Sequence, residues 1–218
     1  MRSFLTVVLL QALFCLALYC FALPASLLAH EYAIGSKTFT ESVILGEILT
    51  QRVRTSVPAR HVAQLGGTRI LWNALQKGDI DAYPEYTGTI IAEILAGTTI
   101  RNDDDLRNEL QKRGIGISRT FGFANTYALG VTRRTAQELG LQNISDLSRY
   151  PALRFAFSNE FMDRHDGWQG LQAAYGLPQK DVRGLDHDLA YRALASGTID
   201  LTELYSTDAE IALDSLHI

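Results

Sequence analysis

From His30 onward, short apolar runs alternate with stretches whose apolar residues recur at helical spacing. "YAIGS" reads as a strand, and "ESVILGEILTQRV" after it places Val43, Ile44, Ile48 and Leu49 on one helical face. "HVAQL" predicts a second strand, "TRILWNALQKG" a helix closed by Gly78, and "DIDAY" a third strand. "TGTIIAEILAG" and "DDLRNELQKRG" predict further helices, each ended by glycine. "TYALGVT" and "LRFAFS" read as buried strands, "GWQGLQAAYG" and "LAYRALASG" as helices, and "TIDLTELY" as the last strand. Such alternation predicts an α/β fold with a largely parallel sheet. No repeat, low-complexity tract or linker interrupts the pattern, so a division into two lobes has to come from chain crossings.

Residues 1–29 stand apart. Arg2 precedes an almost wholly apolar run from Phe4 to Leu23, and "PASLLA" then leads into the polar "HE". This reads as a secretory signal peptide cleaved after Ala29, the competing reading being a retained anchor. Cys15 and Cys20 both fall in this segment, so the rest of the chain has neither disulfide nor thiolate metal site. Phe14 and Tyr19, directly before them, are too large for a lipid-attachment site, which points to a free protein in the periplasm.

With 47% hydrophobic and 20% charged residues, the 218-residue chain has a globular composition. Its formal charge is −4, and without residues 1–29, which hold one arginine and no acid, 19 basic residues face 24 acidic ones. No basic field for nucleic acid is present.

Ligands of open α/β sheets sit beyond the carboxyl ends of strands, near helix N-termini. "GSKTFTES", "YPEYTGT", "SNEFMDRHDGW" and "YSTDAE" all fall at such junctions. In the first, Thr38 and Glu41 predict a capping box. Lys37 just ahead of the helix opposes its dipole unless an anion lies between them. In the second, Pro84 and Gly88 fix a turn, Thr87 or Thr89 caps the helix, and Tyr86 is either core or pocket wall. The third crowds Glu160, Asp163, Arg164, His165 and Asp166 into one loop, which is either a solvated surface or part of a site. With one histidine there and no cysteine, neither metal nor cofactor is expected. No serine is paired with a base, so no enzyme is expected. Tyr205 and Tyr127 bring further rings to chain junctions. Aromatic walls beside one lysine and one arginine suit a zwitterion with a greasy cation at one end and a carboxylate at the other.

"IGSKTFTESVILGEIL", "LGGTRILWNALQKGDIDAYPEYTGT", "FGFANTYALGV", "FMDRHDGWQGLQAAYGL" and "ALASGTIDLTELYSTDAEI" resemble, in order, segments of the glycine betaine/choline/carnitine-binding proteins of osmoprotectant ABC importers. The resemblance implies a two-lobed, type II periplasmic-binding-protein fold with lobe I incomplete. Lobe I would span 30–124 and lobe II 125–204, with 205–218 starting the return to lobe I. Position by position, Tyr86, Tyr127 and Tyr205 match cage tyrosines. Lys37, Thr89 and Arg164 match carboxylate-holding positions, and Asn125 lines the pocket. The implied protein is a monomeric receptor that captures a quaternary-ammonium osmolyte and hands it to a membrane permease and ATPase.

A trimethylammonium group has no N–H, so aromatic faces must hold it, at roughly 2 kcal/mol each when desolvated. Three rings give roughly 6 kcal/mol, short of the ~8 kcal/mol of a micromolar complex, so the clamp must add the rest. An intact clamp then favours betaine or carnitine over choline. Two departures from the family stand out. Glu203 and Leu204 replace an expected Asp and Ala beside Tyr205. The sequence also stops about one helix after the second crossing, before another cage tyrosine, which is the expectation for a truncated, frameshifted or partial product. The rival readings are a binder of another small cation or amino acid, a non-functional fragment, and a two-lobed transferase or synthase.

Overall fold

The computed structural model describes residues 30–213 and 216–218. The expected signal peptide, with Cys15 and Cys20, lies outside the described residues. Two α/β halves are built on separate sheets.

In the first half, β1 (Tyr32–Gly35) pairs in parallel with β2 (Ala59–Val62), and Ile34 also bridges Ala82. "DIDAY" therefore contributes a single bridge rather than a full strand, because Pro84 soon removes a backbone donor from the ladder.

α1 (Thr40–Arg54) covers this sheet with Ser42, Gly46 and Thr50, not with the expected apolar face; Ile44 and Ile48 are 53% and 59% exposed. The reason is close approach. A Cβ on Gly46 would lie 2.6 Å from His61 Nε2 and 2.9 Å from the Ser36 Cβ, so only a small residue lets the helix reach the strands. The expected Thr38 cap is also corrected. The helix begins at Thr40, Phe39 is the N-cap with no side-chain cap bond, and Ser42 Oγ instead accepts from the Lys37 N–H at 2.9 Å.

α2 (Thr68–Lys77) ends at Gly78, whose φ of 77° is the left-handed cap predicted for it. α3 (Thr87–Thr89) runs into a π-helical turn over Ile90–Ile94, and α4 (Asp103–Gln111) follows. Ile90, Leu95, Leu106 and Leu110 form the core beneath them.

The second half contains β3 (Tyr127–Thr132), α5 (Arg133–Leu139), a 3-10 turn (Ile144–Arg149), β4 (Phe155–Ser158), α6 (Asn159–Asp163) and α7 (Trp168–Tyr175). β5 (Val182–Leu185), α8 (His187–Ala195), β6 (Thr202–Tyr205), α9 (Glu210–Leu213) and β7 (Leu216–His217) complete it. β4 and β5 are parallel, whereas β3 runs antiparallel to both β6 and β7. Instead of one largely parallel sheet, the second half holds a parallel pair and an antiparallel trio, linked by a Phe155–Leu201 bridge. Phe155, Phe157, Phe161 and Trp168 form its aromatic core. Within 205–218, expected to begin a return to the first half, β7 pairs with β3. β6 covers only Tyr127–Gly130, and Leu216 and His217 pair with Thr132 and Val131 beyond that stretch.

Candidate functional site

Antiparallel pairing sets Tyr127 opposite Tyr205, and their ring centroids lie 5.3 Å apart at 40°. Phe39, at the head of α1, packs on Tyr205 at 4.7 Å, and Phe161 packs on Tyr127 at 4.9 Å. The Arg164 guanidinium lies over the Tyr127 ring, with Cζ 5.5 Å from its centroid. That is cation–π distance, so the ring face already receives a positive group. Burial pushes both phenols above their ordinary range, which keeps them neutral.

Lys37 is 3% exposed, and its ammonium is fully engaged. Nζ donates to Thr68 Oγ1 at 2.8 Å and to Glu85 Oε1 at 2.9 Å, and it reaches Glu160 Oε1 at 3.5 Å. The Thr68 hydroxyl donates to the same Glu160 oxygen. A buried lysine from the first half is thus matched by two carboxylates, one from each half. Burial drives the Glu85 carboxyl upward, with Lys37 opposing it.

Arg164 makes a two-point contact with Asp166, Nε to Oδ1 at 2.8 Å and Nη2 to Oδ2 at 2.7 Å. Its Nη1 donates to Thr89 Oγ1 at 3.4 Å, joining the halves a second time. Burial disfavours the charge, but Asp166 outweighs it and the guanidinium stays protonated.

Asn125 Nδ2 donates to Glu41 Oε1 at 3.1 Å and to Tyr86 Oη at 3.4 Å. Tyr86 stands apart from the other two tyrosines. Its ring partner is Phe123, at 6.4 Å, and with Trp72, Tyr83, Glu85 and Phe121 it lines a cavity of about 650 Å³ on the first half.

Beneath Tyr205, His187 stacks at 4.3 Å and 36°. Its Nε2 lies 2.9 Å from Asp208 Oδ2 and its Nδ1 3.4 Å from Glu203 Oε1. Asp208 also accepts from the Tyr191 hydroxyl and the Tyr205 N–H. Burial pulls the His187 pKa down, but Asp208 and Glu203 outweigh it and push it up to about 9. Glu203 fits fully buried because both its oxygens accept from the Ser158 N–H at 2.9 Å. Leu204 pairs with Ala128 and fits because the diagonal residue on β3 is Gly130, where a Cβ would lie 2.8 Å from Leu204 Cγ.

The structure therefore gathers Lys37, Thr89, Asn125, Tyr127, Arg164 and Tyr205 where the two halves meet, and attaches Tyr86 to them through Asn125. The sequence reading missed Phe39, Thr68, Glu85 and the pairing of Glu160. Phe39 was legible as an aromatic inside "KTFTES", a junction already singled out.

The profile of the family described as the substrate-binding domain of ABC-type glycine betaine transport systems matches residues 31–218. The chain belongs to this family. It is 30% identical over 188 residues to the ergothioneine transport permease/ergothioneine binding protein EgtU of Helicobacter pylori, across 82% of this chain and 33% of that protein. It is 31% identical over 202 residues to a glycine-betaine-binding protein of Pseudomonas aeruginosa, across 84% of this chain and 64% of that protein. The chain therefore spans between a third and just under two-thirds of these relatives' lengths. A crystal structure of a glycine betaine/carnitine/choline ABC transporter superposes with a TM-score of 0.60 at 29% identity, covering 85% of this chain and 72% of that one. The fold is the type II periplasmic-binding-protein fold, and the family's role is solute binding rather than catalysis. Among the described residues, no helix is long and apolar enough to cross a membrane.

Proposed function

We propose that this domain captures a small quaternary-ammonium osmolyte of the glycine betaine, carnitine or choline type in the cleft between lobes 30–124 and 125–204. It acts as the monomeric periplasmic receptor of an ABC importer and delivers its solute to a membrane permease and ATPase. The observation that carries the reading is the Tyr127–Tyr205 pair with a guanidinium already over one ring face. A methylated nitrogen needs such faces, since it has no proton to donate. Lys37, Thr89, Asn125, Arg164 and the attached Tyr86 complete the proposed site. Side-chain bridges between the halves, among them Lys37 to Glu160 and Arg164 to Thr89, support a cleft whose closure encloses its contents.

A thermal-shift panel of choline, glycine betaine, carnitine, arginine, glutamine and ergothioneine tests it, the last being the ligand in the Helicobacter relative's name. A true ligand at a hundred times its Kd stabilises the native state by about 2.7 kcal/mol. A rise with a trimethylammonium compound, and none with arginine or glutamine, is the expected result. A rise only with the amino acids would refute it.

A further inference from the structure

We infer that the cleft selects a quaternary ammonium carrying no carboxylate, and that Glu160 and Glu85 set this preference. The inference rests on the quaternary-ammonium reading above and narrows its ligand class to cations of the choline kind. It reverses the ranking expected from sequence, which took Lys37 and Arg164 to be free to hold a ligand carboxylate.

The first ground is occupancy. An ammonium has three N–H bonds, and Lys37 directs its own at Thr68, Glu85 and Glu160. Arg164 spends one edge on Asp166 and a further nitrogen on Thr89. A ligand carboxylate reaches Lys37 only by displacing Glu85 or Glu160, and at Arg164 it meets a guanidinium already neutralised by Asp166, with only the Thr89-facing Nη1 side left open. The displaced group then stays in the same low-dielectric cleft as a like charge, which is costly. A cation displaces no carboxylate; its one competitor is the Arg164 guanidinium over the Tyr127 ring, and its charge enters a site where Glu85, Glu160 and Asp166 already surround the two basic groups.

The second ground is independent of the first. Four buried side-chain atoms lack a hydrogen-bond partner among the described residues, and all four are oxygens. Glu85 Oε2 and Asn125 Oδ1 belong to the site. The Asn125 orientation is fixed by its neighbour, since only the amide nitrogen can face the Glu41 carboxylate. Buried acceptors without donors call for a hydroxyl proton or a positive field. A carboxylate supplies neither.

Calorimetry on the purified protein at neutral pH separates the possibilities, with choline, tetramethylammonium, glycine betaine and carnitine as ligands. Choline is expected to bind at least about tenfold tighter than glycine betaine, and tetramethylammonium also tighter than glycine betaine. Glu160→Gln releases one partner of Lys37 and should shrink the choline-to-betaine ratio at least about tenfold. Glycine betaine or carnitine binding wild type as tightly as choline overturns the inference and leaves the quaternary-ammonium reading standing. An unchanged ratio in a folded Glu160→Gln protein removes Glu160 from the account. Binding of none of the four overturns both readings. The wild-type comparison needs no variant, so a Glu160→Gln protein that fails to fold does not shield the inference.

Discussion

Tyr127 and Tyr205 share one register position on antiparallel strands, and their rings stand 5.3 Å apart. Each is the end residue of its strand, Tyr127 the first of β3 and Tyr205 the last of β6. Two faces of the site are thus set by backbone pairing, and neither depends on a loop.

If those faces hold a methylated nitrogen, the ring matters and the hydroxyl matters little. Tyr127→Ala should weaken choline binding by about 2 kcal/mol, roughly thirtyfold, while Tyr127→Phe should cost less than about threefold. Calorimetry on both variants checks this. Equal losses would show that the phenol oxygen does the binding.

His187 is titrated by its surroundings, namely Glu203, Asp208 and the Tyr191 hydroxyl, with the Tyr205 ring against it. Its pKa of about 9 in the fold exceeds the ordinary 6.5. Its stabilisation is therefore fully present below about pH 6.5 and is lost as pH rises through about 9, amounting to ~3 kcal/mol. Melting curves from pH 6 to 10 should show a fall across that window. His187→Gln should flatten it and lower the melting temperature at pH 6. The Asp208 carboxyl is the acid-side counterpart: burial raises it, but hydrogen bonds from His187 and Tyr191 outweigh this and lower its pKa, so its share is lost as pH falls through the folded value.

Lys37 is the buried cation between Glu85 and Glu160. Lys37→Met strands those carboxylates and should cost about 3–5 kcal/mol in urea denaturation. Adding Glu85→Gln removes the nearer of the two stranded charges and should recover part of the loss. Independent, additive losses in the double variant would show that the pair is not coupled.

Gly167 is enclosed by its own loop. A Cβ there would fall inside contact distance of the Phe161 carbonyl oxygen and 3.2 Å from the Arg164 carbonyl. Since backbone cannot move aside as a side chain can, Gly167→Ala should destabilise by about 1–3 kcal/mol and weaken ligand by displacing Arg164. Gly88→Ala, with nothing within 4 Å, is the matched control and should be neutral or mildly stabilising in a thermal melt.

The strands over "YAIGS" and "LRFAFS" and the glycine-ended helices were legible because apolar periodicity and caps are local properties. Tyr127, Tyr205, Arg164 and Lys37 were legible as residues placed at junctions. Their partners were not. Glu85 and Glu160 read as ordinary turn and loop charges, since no local pattern tells which acid folds back onto a lysine 48 or 123 positions away. The helix α1 misled for a related reason. Its most regular apolar stripe includes the exposed Ile44 and Ile48, while the buried side is the small stripe Ser42, Gly46 and Thr50, visible only once His61 and Ser36 are known to face it.

The fit of Leu204 against Gly130 imposes an order on change. Enlarging position 130 first drives a methyl into the fully buried Leu204 side chain, which must repack to admit it, whereas shrinking position 204 first opens the space that a later enlargement fills. Laboratory evolution that randomises position 130 alone should therefore favour glycine. Once Leu204→Ala is fixed, alanine or serine at 130 becomes admissible, so the sequences reachable from this one depend on which of the two mutates first.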